Sequence, residues 1–222
     1  MFARYRMRHH GTSLPRLLFY DLCREAILLY FRVVHRHRRV GVMNIPRTGP
    51  VLLVANHQSF YDPPAIGCGI RHRHSDYLAR ASLFKFKPFG WLIATLNSTP
   101  IRQGAGDAAA MKATIEKMRN GRLMLVFPEG SRSPDGRMQP FQRGIAVLLK
   151  RAHCRIVPVG VAGTYEAWPR GQRLPVPFRD KIVVCYGDPI NSDELMHVGT
   201  DTALLKLHEE VEALRQRAES MC

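Results

Sequence analysis

The chain has 222 residues, 45% hydrophobic and 23% charged, a balance that suits one globular domain with a core of ordinary size and excludes a largely disordered or collagen-like polymer. Its 33 Lys and Arg against 18 Asp and Glu leave a net charge of +15 and a pI near 10.2, so an anionic partner is expected: nucleic acid, an acidic lipid surface or a phosphorylated substrate. The five cysteines, Cys23, Cys68, Cys154, Cys185 and Cys222, are odd in number and scattered, which argues against a disulfide framework or a zinc site and for a reducing, cytoplasm-facing setting.

Residues 1–39 hold nine arginines against one aspartate and one glutamate, and share the stretch with Leu17, Leu18, Leu22, Ile27, Leu28, Leu29, Tyr30 and Phe31. The longest uncharged piece, Ala26 to Phe31, is far short of the roughly 20 residues of a spanning helix. A basic amphipathic leader (1–39) is therefore expected to lie on a membrane as a peripheral or monotopic segment, or to pack on the body of the domain, which runs from 40 to 222. No secretory signal peptide is read, because charge breaks the apolar stretch and no small-residue cleavage site follows.

Val40 to Asn44 and Val51 to Ala55 read as strands joined by a Pro/Gly turn, Asp62 to Ile70 as a short helix and Tyr77 to Ala79 as a short strand. Leu83 to Leu96 mixes Phe, Trp and Leu with two lysines around a Pro-Phe-Gly break, which fits a core helix pair or a second interfacial patch. A helix capped by Asp107 carries Met111, Ile115 and Met118 on one face and stops at Gly121. Then come a strand at Leu123 to Phe127, a helix at Phe141 to Ala152, and strands at Ile156 to Val161 and Ile182 to Tyr186. A helical tail opens at Asn191 and Glu194 in capping-box register and shows Leu204, Leu207, Val211 and Leu214 on one face. This alternation predicts a single α/β domain with a mixed, largely parallel sheet flanked by helices.

The chemistry gathers at strand ends. Val51 to Pro63, VLLVANHQSFYDP, is an apolar strand that stops on Asn56 and His57, with Asp62 five residues on. A carboxylate reaching back to one imidazole nitrogen leaves the other as a base, at the edge of the sheet where ligands of open α/β folds bind. Asp62 before two prolines also reads as a helix cap. Strand Leu123 to Phe127 runs into Glu129, Gly130, Ser131 and Arg132, and Thr99 to Arg102 presents another guanidinium; arginines and turn amides suit a phosphate cradle, while a solvent-facing Glu129–Arg132 pair is the plainer reading of that loop. Ser59 lies near His57 without the Gly-x-Ser-x-Gly elbow of a hydrolase.

Four blocks in order, NHQSFYDP at 56–63, TPIRQG at 99–104, FPEGSRS at 127–133 and IVPVGVAGTYE at 156–166, resemble the acyltransferases of glycerol phosphate and lysophospholipids, typified by 1-acylglycerol-3-phosphate acyltransferase. The resemblance covers about residues 40–190. It implies transfer of a fatty acyl group from acyl-CoA or acyl carrier protein to the free hydroxyl of a lysophospholipid, giving phosphatidic acid from 1-acyl-sn-glycerol-3-phosphate, at the cytoplasmic side of a membrane. His57 would be the general base and Asp62 its orienting partner; Arg102, Glu129, Gly130, Ser131 and Arg132 would form the phosphate and glycerol site. Arg80, where relatives often carry lysine, would be a further phosphate ligand, and Pro158 would shape the acyl or donor side. Ser131 stands where threonine is common, and Tyr61 where many relatives have leucine.

A thioester has a good leaving group, so a His–carboxylate pair suffices without an acyl-enzyme, a cofactor or a metal. An amino-acid lysolipid such as lyso-ornithine lipid is the alternative acceptor. Two readings of other classes compete. A nucleic-acid binder would use basic runs such as His35 to Arg39, yet zinc-finger and RNA-binding signatures are missing, so no nucleic-acid partner is expected. A metal phosphoesterase would need His57, Asp62 and His72 or His74 as ligands, which the spacing does not cluster.

Overall fold

The computed structural model describes residues 12–102 and 107–222. Helix α1 (Leu14–His35) leads into strand β1 (Arg38–Val40) and the central strand β2 (Val51–Ala55), followed by α2 (Asp62–Cys68), β3 (Ser75–Arg80), α3 (Lys87–Thr95) and β4 (Ser98–Ile101). Then come α4 (Ala108–Arg119), β5 (Leu123–Val126), α5 (Ile145–Ala152), β6 (Arg155–Ala162), the single turn α6 (Thr164–Ala167), β7 (Val183–Tyr186), β8 (Ile190–Asn191), α7 (Ser192–Met196) and α8 (Thr200–Glu219). The strands form one sheet in the order β1-β7-β6-β2-β5-β3-β4, with β8 also on β6. Pairing is parallel throughout except where β7 and β8 meet β6.

All five residues of β2 are buried because both faces of the sheet are covered, as expected of a parallel strand fed by helical crossovers. Val51, Leu53 and Ala55 enter a core with Leu28 and Phe31 of α1 and Ile66 of α2, while Leu52 and Val54 enter another with Met118 of α4, Leu149 of α5 and Leu207 and Val211 of α8. Helix α8 crosses β6 at Gly160, where a Cβ would stand 2.2 Å from the Arg215 nitrogen and the Leu214 carbonyl carbon; only glycine permits that approach.

Three expected elements change. The strand at Val40 to Asn44 is β1 shifted back to Arg38–Val40 with a 3-10 turn at Val42–Asn44, because Gly41 takes a left-handed φ of 74°. The helix expected from Phe141 begins at Ile145, since Gln142 is drawn off to bond Pro128 O through its N–H and Glu129 O through its side chain. Gly199, at φ 88°, splits the tail into α7 and α8. Thr99 to Ile101 lie in β4, an edge strand that tolerates Pro100, and Arg102 follows it.

The boundary between leader and domain at residue 39 falls inside β1, which pairs with β7. Helix α1 packs on the domain through Leu17, Tyr20, Leu28 and Phe31, which are buried, and leaves Leu18, Leu22, Leu29 and Val33 exposed. Residues 1–11 of the leader lie outside the described residues. Across the interval from Leu83 to Leu96, a 3-10 turn and α3 leave Phe86, Phe89 and Trp91 exposed, and Phe19 of α1 meets Trp91 at 5.7 Å between ring centroids. Among the described residues no helix is long and apolar enough to cross a membrane.

Candidate active site

In-register pairing of Val54 with Val126 makes β2 and β5 end side by side, so the segments after them leave the sheet together, while β6, paired to β2 at Pro158, runs on to Ala162. Asn56 extends the sheet by one step: its fully buried amide donates to Val161 O at 3.0 Å and accepts from Val161 N at 2.8 Å, so a side chain continues the ladder where the backbone turns away. That clamp delivers His57 to the rim.

His57 Nδ1 lies 2.8 Å from Oδ2 of Asp62, which is 0% exposed and also accepts the N–H groups of Gln58 at 2.6 Å and Ser59 at 2.7 Å. Asp62 is the first helical residue of α2, with Tyr61 at the cap position, and its carboxylate organises the turn behind it. An acceptor-only carboxylate puts the imidazole proton on Nδ1 and leaves the Nε2 lone pair available. Phe127 stacks on the imidazole at 4.1 Å and 20°, fixing the ring plane.

Glu129 departs from expectation. It is buried, with Oε1 accepting the backbone N–H of His57 at 2.6 Å and Oε2 that of Gln139 at 2.9 Å. Its carboxylate therefore braces the His57 loop and is not the solvent-facing partner of Arg132. Burial pushes its pKa up to about 7, against the downward pull of those two N–H groups. Gly130 follows at φ 73°, and Ser133 closes the loop by donating its N–H to His57 O at 2.7 Å.

Arg132 lies over the Phe60 ring at 3.5 Å, and its Nη1 is buried without a hydrogen-bond partner among the described residues. Burial lowers its pKa, and the Arg170 and Arg80 guanidiniums lower it further. Ser131, half-buried, precedes it. Arg80 leaves the end of β3 beside this loop, because Tyr77 pairs with Leu125 of β5. Arg102 is exposed just past β4 and bonds Asp107 through its backbone N–H. Pro158 lies inside β6, opposite Val54, and is not in the wall of the apolar cavity described next. Ser59 is spent on structure, donating its hydroxyl to Trp168 O at 2.7 Å. His72 meets Ile45 O, and His74 meets Asp21 Oδ1 at 3.0 Å, so the histidines of the metal reading serve elsewhere.

An apolar cavity of about 610 Å³ opens behind His57. Phe127, which stacks on the imidazole, is part of its wall, with Phe60, Tyr61 and Trp168, and Ile27 of α1, Gly67 of α2, Leu78 and Ala79 of β3 and Leu92 of α3 line the rest. Its volume is that of a ligand pocket, and its lining suits a hydrocarbon chain. Sequence reasoning missed Asn56, the brace role of Glu129 and this cavity; the signal for Asn56 was a polar residue directly after five apolar ones, in a position that burial would force to find partners.

The chain belongs to the Acyltransferase family, whose model matches residues 37–162. It is 31% identical over 175 residues to a 1-acyl-sn-glycerol-3-phosphate acyltransferase of Pseudomonas aeruginosa, covering 76% of this chain and 66% of that one. A chloroplastic 1-acyl-sn-glycerol-3-phosphate acyltransferase of Brassica napus is 27% identical over 135 residues, 59% of this chain; the match spans only 38% of the plant protein's length. The crystal structure of the 1-acyl-sn-glycerophosphate (LPA) acyltransferase PlsC from Thermotoga maritima superposes with a TM-score of 0.73 at 25% identity, covering 99% of this chain and 88% of that one.

Proposed function

We propose that the protein transfers a fatty acyl group from an acyl thioester to the free hydroxyl of a phosphate-bearing lysolipid, with 1-acyl-sn-glycerol-3-phosphate as acceptor and phosphatidic acid as product. The observation that supports this reading is that the His57–Asp62 pair and Arg132 both border one apolar cavity, His57 stacking on Phe127 and Arg132 lying over Phe60 of its wall. His57 Nε2 takes the proton of the acceptor hydroxyl, and the oxygen attacks the thioester carbonyl. The tetrahedral intermediate collapses with cleavage of the C–S bond, and the imidazolium returns the proton to the departing thiolate. Asp62 holds the ring and stabilises its charged form, and no protein nucleophile is acylated.

The donor is an acyl-CoA or acyl carrier protein, both anionic and drawn to the same positive field. The acceptor is reached at the bilayer through the apolar faces of α1 and α3, with Arg16, Lys85 and Lys87 nearby for anionic headgroups at about 1 kcal/mol each. The testing experiment offers purified protein a panel of lysolipids, lyso-ornithine lipid included, with one labelled acyl thioester, and identifies the lipid formed. Labelled phosphatidic acid from wild type and none from His57→Ala is the expected result; thioester hydrolysis alone, or label retained on the protein, would overturn the reading.

A further inference from the structure

The segment from Trp168 to Lys181 joins α6 to β7 at the same sheet edge as the His57 loop, because β7 runs antiparallel to β6 and starts where β6 ends. It is fixed there by Trp168, which accepts the Ser59 hydroxyl at its carbonyl and packs against Phe60 and Tyr61. Two residues later, Arg170 Nη1 donates to the carbonyl of Arg132 at 3.1 Å. The contact puts two guanidinium-bearing residues together where nothing apparent is gained by it, since like charges repel.

We propose that Arg170 is a specificity-determining residue for the acceptor, completing with Arg132 and Arg80 a site of three guanidiniums that selects a dianionic phosphomonoester headgroup. The inference rests on the acyl-transfer reading and names the acceptor charge that the site requires. Three observations converge on it. Arg132 Nη1 is buried and unpartnered among the described residues, although a buried charged donor is costly to leave unmatched. The Nε and Nη2 atoms of Arg170 make no hydrogen bond among the described residues, so the carbonyl contact aims the side chain and leaves donors for a ligand. Asp62, the carboxylate whose charge partly offsets Arg132, spends its Oδ2 on His57, Gln58 and Ser59, and neither of its oxygens bonds Arg132 among the described residues.

The remaining charge calls for an anion from outside. A phosphomonoester carries about −1.5 to −2 at neutral pH and three acceptor oxygens, which suits three donors better than the single charge of a phosphodiester. Coenzyme A also ends in a phosphomonoester, but at the far end of its pantetheine arm. Arg132 adjoins Ser133, whose N–H bonds the His57 carbonyl, so its guanidinium springs from the loop joined to the base, on the side where this reading puts the acceptor.

The test compares 1-acylglycerol 3-phosphate with its methyl phosphodiester as acceptors, at saturating acyl thioester, for wild type, Arg170→Gln and Arg170→Lys. Gln can keep the hydrogen bond to Arg132 O while removing the charge. The expected result for Gln is an acceptor KM raised about tenfold or more for the monoester and less than about threefold for the methyl ester, with kcat and donor KM held within about threefold and partial rescue by Lys. Equal losses on both acceptors would make Arg170 a mere prop for the loop, and no loss on either would remove it from the site; both overturn the proposal. Binding of glycerol 3-phosphate by calorimetry reads the anion site without turnover: about tenfold weaker binding to Arg170→Gln is expected, and unchanged binding refutes. A wild-type protein that acylates neither acceptor fails the acyl-transfer reading itself, whereas an active wild type with indifferent Arg170 variants fails this inference alone.

Discussion

At the residue scale the site depends on holding one imidazole in a fixed orientation. Asp62 does this with a single oxygen shared among three donors, so Asp62→Asn should disturb both the tautomer and the turn. The expected loss in kcat is roughly 10²–10⁴-fold, similar to His57→Ala, with unfolding monitored by circular dichroism to separate chemistry from folding. Glu129 makes a different prediction. Its folded pKa of about 7 lies above the ordinary 4.5, so between those values the folded protein holds a proton that the unfolded chain has released. Its contribution to stability is therefore greatest below about pH 4.5, falls as pH rises and levels off above about 7. Buried His37, held down to about 4, works in the opposite sense, favouring the fold as pH rises from about 4 to 6.5. Denaturant titrations should show Glu129→Gln departing from wild type by roughly 3 kcal/mol in slope-integrated stability across pH 4.5–7; parallel profiles would place the proton elsewhere.

At the scale of elements, two unremarkable residues hold the layers in place. Asn56→Ala removes both bonds to Val161 and leaves a buried N–H and C=O unmatched, a cost of about 2–5 kcal/mol, and it should lower kcat because His57 follows directly. Gly160→Ala forces α8 off β6 and should cost about 1–3 kcal/mol or more in thermal or denaturant unfolding, with the site's chemistry less affected. The cavity, in turn, is bounded by α1, α2, β3 and α3, so its depth is a property of how those elements pack. Ala79→Leu fills part of it, and the protein should then prefer shorter acyl thioesters in a chain-length competition assay; an unchanged preference would show that the acyl chain lies elsewhere.

At the scale of the molecule, charge and greasiness are segregated in a way that suits an interface. Leu22 at 69% exposed, Val33 at 61% and Trp91 at 63% lie on α1 and α3, the two helices that also wall the cavity. Arg16 ties the two together by donating to Ala94 O and Thr95 O at the end of α3. Replacing Leu22 and Trp91 by Glu should reduce sedimentation with anionic vesicles at least severalfold and leave the fold intact, while added salt should weaken the wild-type association, since a protein of net charge +15 binds such vesicles partly through screened electrostatics.

Much of this was legible in order along the chain. The apolar run Val51 to Ala55 could only be a doubly covered strand, and His57 and Asp62 are close enough in sequence for their pairing to follow from one turn and one helix start. The loop that carries Arg132 was also visible, as a glycine turn after a buried strand. What the tertiary structure alone decided were partnerships across long separations: Glu129 under the His57 amide, Asn56 against Val161, Arg170 on Arg132, and four elements enclosing one cavity. Local pattern records which faces must leave water. It carries no record of which buried polar group meets which, because that choice is made by the pairing of strands and the packing of helices distant in sequence, where each unmatched donor or acceptor would be costly.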